Sequence, residues 1–142
     1  MPDNWIPYLF TAADGRSYNF AKEGRYSLKI TGQSNINKYA KQHISLSGDA
    51  GSSLLVFCSN KTDGSSATGG SINLSIYLNN NDGTKSQSTL SFAKNSHDWI
   101  TIGRQITATK DFDSADIFVR YNNQKGSTYF DGIKLLNNFS SI

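Results

Sequence analysis

The sequence has 142 residues, a formal net charge of +3 at pH 7 and an isoelectric point of about 9.0. Its basic residues are scattered and form no Lys/Arg block, which argues against a nucleic-acid partner. No apolar run reaches the roughly 18 residues that a membrane-spanning helix needs, so membrane insertion is not predicted. A chain of this length is expected to form one domain, residues 1–142, around a single hydrophobic core.

Short runs of alternating apolar and polar residues recur along the chain, as is typical of antiparallel strands packed on one face. In chain order, the clearest runs are RYSLKI (25–30), QHISL (42–46), LLVFCSN (54–60), SINLSIYL (71–78) and ADIFVRY (115–121). Segments rich in Ser, Asn and Gly separate these runs, and the NDG at 81–83 is a strong hairpin signal. Helix formers are scarce, so the sequence predicts an all-β sandwich.

The last predicted strand, STYFDGIKL (127–135), contains two residues that strands disfavour, Asp131 and Gly132. An interior Gly often marks a bulge or the close approach of another segment. A carboxylate in such a strand needs a partner, because an unpaired buried charge is costly. The sequence therefore predicts that Asp131 holds another group in place.

Four segments occur in an order and spacing that resemble the carbohydrate-binding modules of families 4, 9 and 22, which are galactose-binding-like jelly rolls. These segments are EGRYSLKITG (23–32), KQHISLSGDAGSSLLV (41–56), HDWITIGRQITA (97–108) and SADIFVRYNNQKGSTYFDGIKLL (114–136). More closely, the sequence resembles the related modules of large bacterial cell-surface proteins, such as wall-associated YD-repeat proteins. The resemblance covers residues 20–136, and the segment before it lacks the Phe-Glu pair with which such modules often begin.

The resemblance implies a jelly-roll β-sandwich of two antiparallel sheets. It also implies a non-catalytic module that attaches a larger extracellular or cell-surface protein to a polysaccharide or cell-surface glycan, with other domains of the parent chain as further partners. The opening residues MPDNW look like an expression start, which agrees with a module excised from a longer protein. The alternative function is a structural spacer or adhesion module that keeps the fold without a working sugar site.

In many of these relatives the Asp of the last strand is a ligand of a structural calcium ion. Asp131 matches that motif position, and Glu23, in the loop before the second predicted strand, is a plausible companion ligand. Calcium takes six to eight oxygen ligands, and a loop rich in Ser, Asn and Gly can present such oxygens. The alternative is that Asp131 only accepts hydrogen bonds from backbone N–H groups across the two ends of the chain.

Sugar binding needs aromatic rings against the faces of the sugar and planar polar groups at its hydroxyls. The outward residues of three predicted strands offer such a set, namely Phe57, Asn73, Tyr77, Phe118, Arg120 and Asn122. Alternation leaves either Phe57 or Cys58 outside, and an outward Phe57 near Tyr77 would extend the aromatic surface. The alternative interpretations are ordinary cross-strand packing of the rings and a surface ion pair between Arg120 and Asp116.

The remaining candidate residues are expected to have structural roles and no catalytic or metal-binding role. Cys58 lies in an apolar run and is expected to be a small buried residue, because nothing local would activate a thiolate. Trp99 is expected to pack, whereas Trp5 could stack on a ligand or anchor its segment. His43 is expected to face outward, and no metal or hydrolase motif accompanies it. With Glu23 as the only Glu, the paired carboxylates of a glycosidase are not predicted, so the chain is not expected to be an enzyme.

Overall fold

A computed structural model describes residues 4–65 and 69–137, and within these ranges the chain forms ten β-strands and no helix. The strands are β1 (Ile6–Tyr8), β2 (Gly15–Ser17), β3 (Ser27–Thr31), β4 (Asn37–Ile44), β5 (Ser53–Asp63), β6 (Ser71–Asn80), β7 (Lys85–Ser91), β8 (His97–Thr107), β9 (Phe112–Asn122) and β10 (Ser127–Asn137). Nothing in the described part of the chain is a helix long and apolar enough to cross a membrane.

The strands form two five-stranded antiparallel sheets. We call the sheet with the order β1-β4-β9-β6-β7 the front sheet and the sheet with the order β2-β3-β10-β5-β8 the back sheet. From β3 onward, every connection crosses from one sheet to the other except the β6–β7 hairpin. The predicted sandwich of two antiparallel sheets is therefore confirmed.

The core lies between the sheets and is built from the inward residues of the alternating runs. Its fully buried side chains include Ile30, Leu54, Val56, Ile72, Leu74, Ile76, Ile117, Val119 and Phe130. Cys58 is also fully buried, and this burial, with the charge of Asp131 as a smaller cause, raises the pKa of its thiol. Cys58 is thus a core residue, as predicted.

The NDG segment forms the predicted hairpin turn between β6 and β7. The amide of Asn80 donates to the carbonyl of Thr84 at 2.9 Å, and Gly83 has a φ of +86°. Glycine adopts this left-handed conformation without the steric cost that a Cβ atom imposes. The Asp82 carboxylate accepts a hydrogen bond from the Thr84 amide at 2.9 Å, which closes the turn.

The Asp131–Gly132 pair forms a bulge in β10. The register between β10 and β5 shifts between Asp131 and Lys134, and Gly132 has a φ of +58°. One Asp131 oxygen accepts hydrogen bonds from the amides of Lys22 and Glu23, both at 2.8 Å, and the other accepts from the Gly132 amide at 2.8 Å. Asp131 therefore fastens the segment before β3 to the last strand, which is the hydrogen-bonding role of the alternative interpretation.

A buried ion pair joins the two sheets at the N-terminal side of the fold. The Lys38 ammonium lies 2.8 Å from Asp14, and the two side chains are 4% and 0% exposed. Asp14 also accepts hydrogen bonds from the amides of Thr31 in β3 at 2.6 Å and of Thr11 at 2.8 Å. The pair thus connects β4 of the front sheet to β3 of the back sheet through one carboxylate.

Candidate functional site

The outward residues of β4, β9, β6 and β7 lie in cross-strand rows on the front sheet. In one row Tyr39, Arg120 and Asn73 are directly opposite one another. The next row contains Lys41, Phe118, Ser75 and Thr89, and the one after it contains His43, Asp116, Tyr77 and Gln87. The register therefore brings Asn73, Tyr77, Phe118 and Arg120 together on one face, as their alternation in the sequence predicts.

Four aromatic rings form a continuous series across this face, which we call the aromatic row: Tyr8, Tyr39, Phe118 and Tyr77. The rings of Tyr8 and Tyr39 are stacked, with centroids 4.7 Å apart and an interplanar angle of 12°. Phe118 contacts Tyr39 at 5.2 Å and Tyr77 at 5.4 Å, both in edge-on geometry. Tyr8 remains 46% exposed, so the outer end of the row is open to solvent.

Arg120 lies over the centre of the aromatic row. Its guanidinium carbon is 4.6 Å from the ring centroid of Phe118 and 5.7 Å from that of Tyr77, and its Nη2 donates to the Tyr77 hydroxyl at 3.1 Å. The alternative ion pair with Asp116 is absent from the described residues. Both Asp116 oxygens have other partners, namely His43 Nδ1 at 2.7 Å and Asn79 Nδ2 at 3.1 Å. Arg120 therefore keeps further N–H donors for a ligand.

Side-chain amides border the aromatic row. The Asn122 side-chain amide donates to the Ser71 hydroxyl at 3.1 Å, and the Ser75 hydroxyl donates to the side-chain oxygen of Asn73 at 3.3 Å. Asn73 stands opposite Arg120 on the neighbouring strand. Asn122 lies two residues beyond Arg120 on β9 and stands opposite Ser71. These groups can exchange hydrogen bonds with hydroxyls, so the face combines apolar rings with polar donors and acceptors.

Phe57 does not belong to this face, and the prediction that it lies near Tyr77 is wrong. β5 is in the back sheet, where Phe57 stands opposite Gly103 of β8 and Lys134 of β10. A Cβ atom on Gly103 would lie only 2.5 Å from the Phe57 ring, so the missing side chain makes room for that ring. Alternation left either Phe57 or Cys58 outside, and the structure places Cys58 in the core and Phe57 on the outer side of β5. Alternation carries no information about which sheet a strand joins.

Sequence reasoning missed Tyr8, Tyr39 and Lys41. Tyr39 and Lys41 precede His43 by four and two residues on β4, so the alternation that places His43 outside also places them outside. His43 is 59% exposed at its side chain, as predicted. Tyr8 carried no such signal, because β1 has only three residues and all of them are exposed.

The residues predicted to bind calcium do not fit that ion. One Asp131 oxygen accepts two N–H groups and the other accepts one, so partial positive charges surround the carboxylate. The Glu23 carboxylate lies 3.0 Å from the Lys134 ammonium. Within residues 4–65 and 69–137, no three His, Cys, Asp or Glu side chains are grouped to hold a metal ion. A calcium ion needs several converging oxygens, so the present contacts favour the hydrogen-bonding role of Asp131.

The two tryptophans lie away from the aromatic row. Trp5 packs partly against the core and lines a cavity of about 260 Å³ together with Tyr26, Gln42 and Asp131. Trp99 is half-buried on β8 of the back sheet. Neither Trp contributes to the front-sheet face.

No protein-family model matches the sequence, and no curated protein matches it significantly. Solved structures do resemble its fold. The CBM22-1 xylan-binding domain of Xyn10C from Paenibacillus barcinonensis matches with a TM-score of 0.69 at 9% identity, over 99% of this chain and 89% of that chain. A family 16 carbohydrate-binding module matches with a TM-score of 0.63 at 16% identity, over 87% of this chain and 85% of its own.

A third solved structure is TmCBM61 in complex with β-1,4-galactotriose. It matches with a TM-score of 0.63 at 13% identity, over 95% of this chain and 89% of that chain. Identities this low establish the arrangement of the strands and not the ligand. The chain therefore has the jelly-roll β-sandwich fold that these carbohydrate-binding modules share.

Proposed function

We propose that this chain is a non-catalytic carbohydrate-binding module whose ligand site is the outer face of the front sheet. The observation that carries the proposal is the aromatic row with Arg120 at its centre and Asn73 beside it. Aromatic rings cover the apolar faces of sugars, while planar amides and guanidinium groups bond their hydroxyls.

The extent of the aromatic row favours a polymer over a single sugar. The row crosses four strands of the front sheet, from β1 to β6. With about 4.8 Å between neighbouring strands, its length is roughly 14 Å. A surface of this length can contact several consecutive sugar units, so affinity would accumulate along the polysaccharide chain.

The solved structures of the same fold support a polysaccharide ligand, since one is a xylan-binding domain and another was solved with β-1,4-galactotriose. A module of this kind attaches the other domains of a parent protein to the polymer, and several weak sites act together through multivalency. Polysaccharides of this type are found outside cells. We therefore propose an extracellular or cell-surface location for the parent protein.

The arrangement of carboxylates supports binding without catalysis. Glycoside hydrolysis generally uses two carboxyl groups on opposite sides of the scissile bond. Within the rows of the front-sheet face described above, Asp116 is the only carboxylate, and His43 and Asn79 occupy both of its oxygens. Glu23 is paired with Lys134 at the bulge of the back sheet.

Titration calorimetry against a panel of plant and bacterial cell-wall polysaccharides tests the proposal. We expect at least one polymer to bind, and Tyr77→Ala or Tyr39→Ala to abolish its binding without a change of fold by circular dichroism. Phe57→Ala is the matched control, because it removes an outward ring of the other sheet. Absence of binding to every polymer, or equal loss with Phe57→Ala, would favour the structural spacer instead.

A further inference from the structure

We infer that the polysaccharide bound by the front-sheet face is acidic and carries uronic-acid carboxylates. This inference rests on the proposed function and specifies its ligand class. The reason is the presence of two cationic side chains, Lys41 and Arg120, that lie beside the aromatic row without a carboxylate partner.

The two cations are close to each other and to the central ring. Lys41 stands directly opposite Phe118, and Arg120 follows Phe118 by two residues on the same face of β9. Lys41 and Arg120 are therefore diagonal neighbours across β4 and β9, a relationship that places the two side chains about 7–8 Å apart at their bases. One negatively charged segment of a polymer can contact both.

Neither of these two cations has a carboxylate within 4 Å in the described part of the chain. Elsewhere in the described chain, Lys38, Lys61, Lys110 and Lys134 each lie within 4 Å of a carboxylate. Arg120 donates to the neutral Tyr77 hydroxyl instead, and the described residues give Lys41 no hydrogen-bond or ion-pair partner. The sequence thus leaves positive charge uncompensated at the aromatic row.

Asp116, the carboxylate in the adjacent row of the face, carries a single negative charge and offsets only part of this positive charge. Asp116 stands opposite Tyr77 and His43, and both of its oxygens are engaged by His43 and Asn79. The Lys85 ammonium donates to the side-chain oxygen of Asn79 at 2.7 Å, which adds a further cation at this end of the face. A carboxylate-bearing ligand would therefore find net positive potential beside the rings.

The geometry of Arg120 fits a carboxylate in particular. Its guanidinium lies against the Phe118 ring, and one of its nitrogens is fixed by the Tyr77 hydroxyl. Its position is therefore set before a ligand arrives, which reduces the entropy lost on binding. The planar group can donate two parallel hydrogen bonds to a carboxylate, whereas an ammonium acts as a point charge.

Calorimetry with the whole chain and four polymers tests this inference: polygalacturonate, the same polymer methyl-esterified, neutral β-1,4-galactan and dextran sulfate. EDTA in the buffer prevents cross-linking of the acidic polymer by calcium. We expect polygalacturonate to bind about tenfold or more tightly than its ester, since esterification removes only the charge and one acceptor. Affinity for the acid should fall as salt is raised, because salt screens these contacts.

Three variants separate a specific site from the general attraction of a basic protein to a polyanion. Arg120→Lys keeps the charge but loses the planar donor pair, and we expect about tenfold weaker binding of polygalacturonate. Lys41→Ala should weaken it severalfold. Lys125→Ala, at an exposed position between β9 and β10, changes the net charge equally and should leave affinity unchanged. Circular dichroism and melting temperature check that each variant folds.

The outcomes distinguish this inference from the proposed function. Equal affinity for polygalacturonate and its ester, or tighter binding of the neutral galactan, would overturn the acidic ligand while leaving sugar binding intact. Tighter binding of dextran sulfate than of polygalacturonate would overturn the assignment to carboxylates. Equal losses of affinity for polygalacturonate in Lys41→Ala and Lys125→Ala would show that the attraction comes from the net charge of the protein and not from a specific site. Failure of every glycan to bind would instead refute the proposed function.

Discussion

Arg120 and Phe118 form a cation–π pair at the centre of the front sheet, with the guanidinium carbon 4.6 Å from the ring centroid. The two residues lie on the same face of β9, two positions apart, so the pair is internal to one strand. The ring serves two purposes in the proposed site, because it is part of the aromatic row and also supports the guanidinium. Changes at Phe118 should therefore affect both parts of the site.

The first prediction concerns Phe118→Leu, which keeps an apolar side chain and removes the aromatic face. A cation–π contact contributes about 0.5–1 kcal/mol at an exposed site and more when it is desolvated. Together with the lost stacking on the sugar, we expect affinity to fall by roughly tenfold, about 1.4 kcal/mol. Titration calorimetry measures the change, and Phe57→Leu on the back sheet is the control. An unaltered affinity of the Phe118→Leu variant would show that the Phe118 ring is not part of the binding site.

The sequence was sufficient to place the central part of this face. Alternation in SINLSIYL and ADIFVRY fixes which residues are buried, so the outward positions of Tyr77 and Phe118 follow directly. What alternation cannot supply is the order of strands within a sheet, which depends on crossovers and long-range pairing. Phe57 was placed in the wrong sheet for this reason, and the contribution of Tyr8 from a three-residue edge strand could not be predicted.

The Asp131 bulge shows a different limit of the sequence. The unfavourable Asp-Gly pair correctly predicted a carboxylate that holds another segment, but it did not decide between a metal ion and backbone amides. That choice depends on how the segment before β3 approaches β10, and the approach brings the amides of Lys22 and Glu23 to the carboxylate. The alignment of these N–H groups depends on the folded backbone, so the residue types in the sequence do not predict it.

A second prediction follows for Asp131→Asn. The substitution removes the negative charge and turns one acceptor oxygen into an amide donor, so at least one backbone N–H loses its partner. Hydrogen bonds to charged groups contribute about 1.5–3 kcal/mol, and we expect a loss of unfolding free energy in that range. Urea denaturation measures it. Glu23→Gln is the control, because its exposed pair with Lys134 should contribute no more than about 1 kcal/mol.

A third prediction concerns metal removal. Because three backbone amides donate to Asp131 and Lys134 pairs with Glu23, we expect the melting temperature to be the same in EDTA and in millimolar calcium. A bound ion would stabilise the folded state in proportion to the logarithm of its concentration. Differential scanning calorimetry of the dialysed protein provides the comparison. A clear rise in melting temperature with calcium would restore the calcium site that the family resemblance implies.

A fourth prediction concerns the buried pair of Lys38 and Asp14. Removing one member of a buried ion pair leaves an uncompensated charge, which costs about 3–5 kcal/mol. We therefore expect Lys38→Met to destabilise the protein strongly, since Asp14 would keep only its backbone and hydroxyl donors. The double variant Lys38→Met/Asp14→Asn should recover part of the loss, as measured by urea denaturation. Equal stabilities for the single and double variants would show that the charge of Asp14 is not the cause.

The last prediction concerns how Asp116 makes the stability of the protein depend on pH. Burial acts to raise the pKa of Asp116, but hydrogen bonds from Asn79 and His43, together with the charges of His43 and Lys85, outweigh it and hold this pKa below its ordinary value of 3.8. A carboxyl whose pKa is lower in the folded state stabilises the fold at pH values above the unfolded pKa. That stability is lost as the pH falls below about 3.8 and through the folded pKa.

We therefore expect Asp116→Asn to be less stable than the wild type at pH 6, with a difference in unfolding free energy that narrows toward pH 3. Urea denaturation at a series of pH values measures this difference. In an Asn79→Ala background, which lacks one of the donors to Asp116, the same substitution should produce a smaller difference at pH 6. A gap that widens on acidification would mean that the pKa of Asp116 is raised in the folded state, so that burial outweighs the hydrogen bonds from His43 and Asn79.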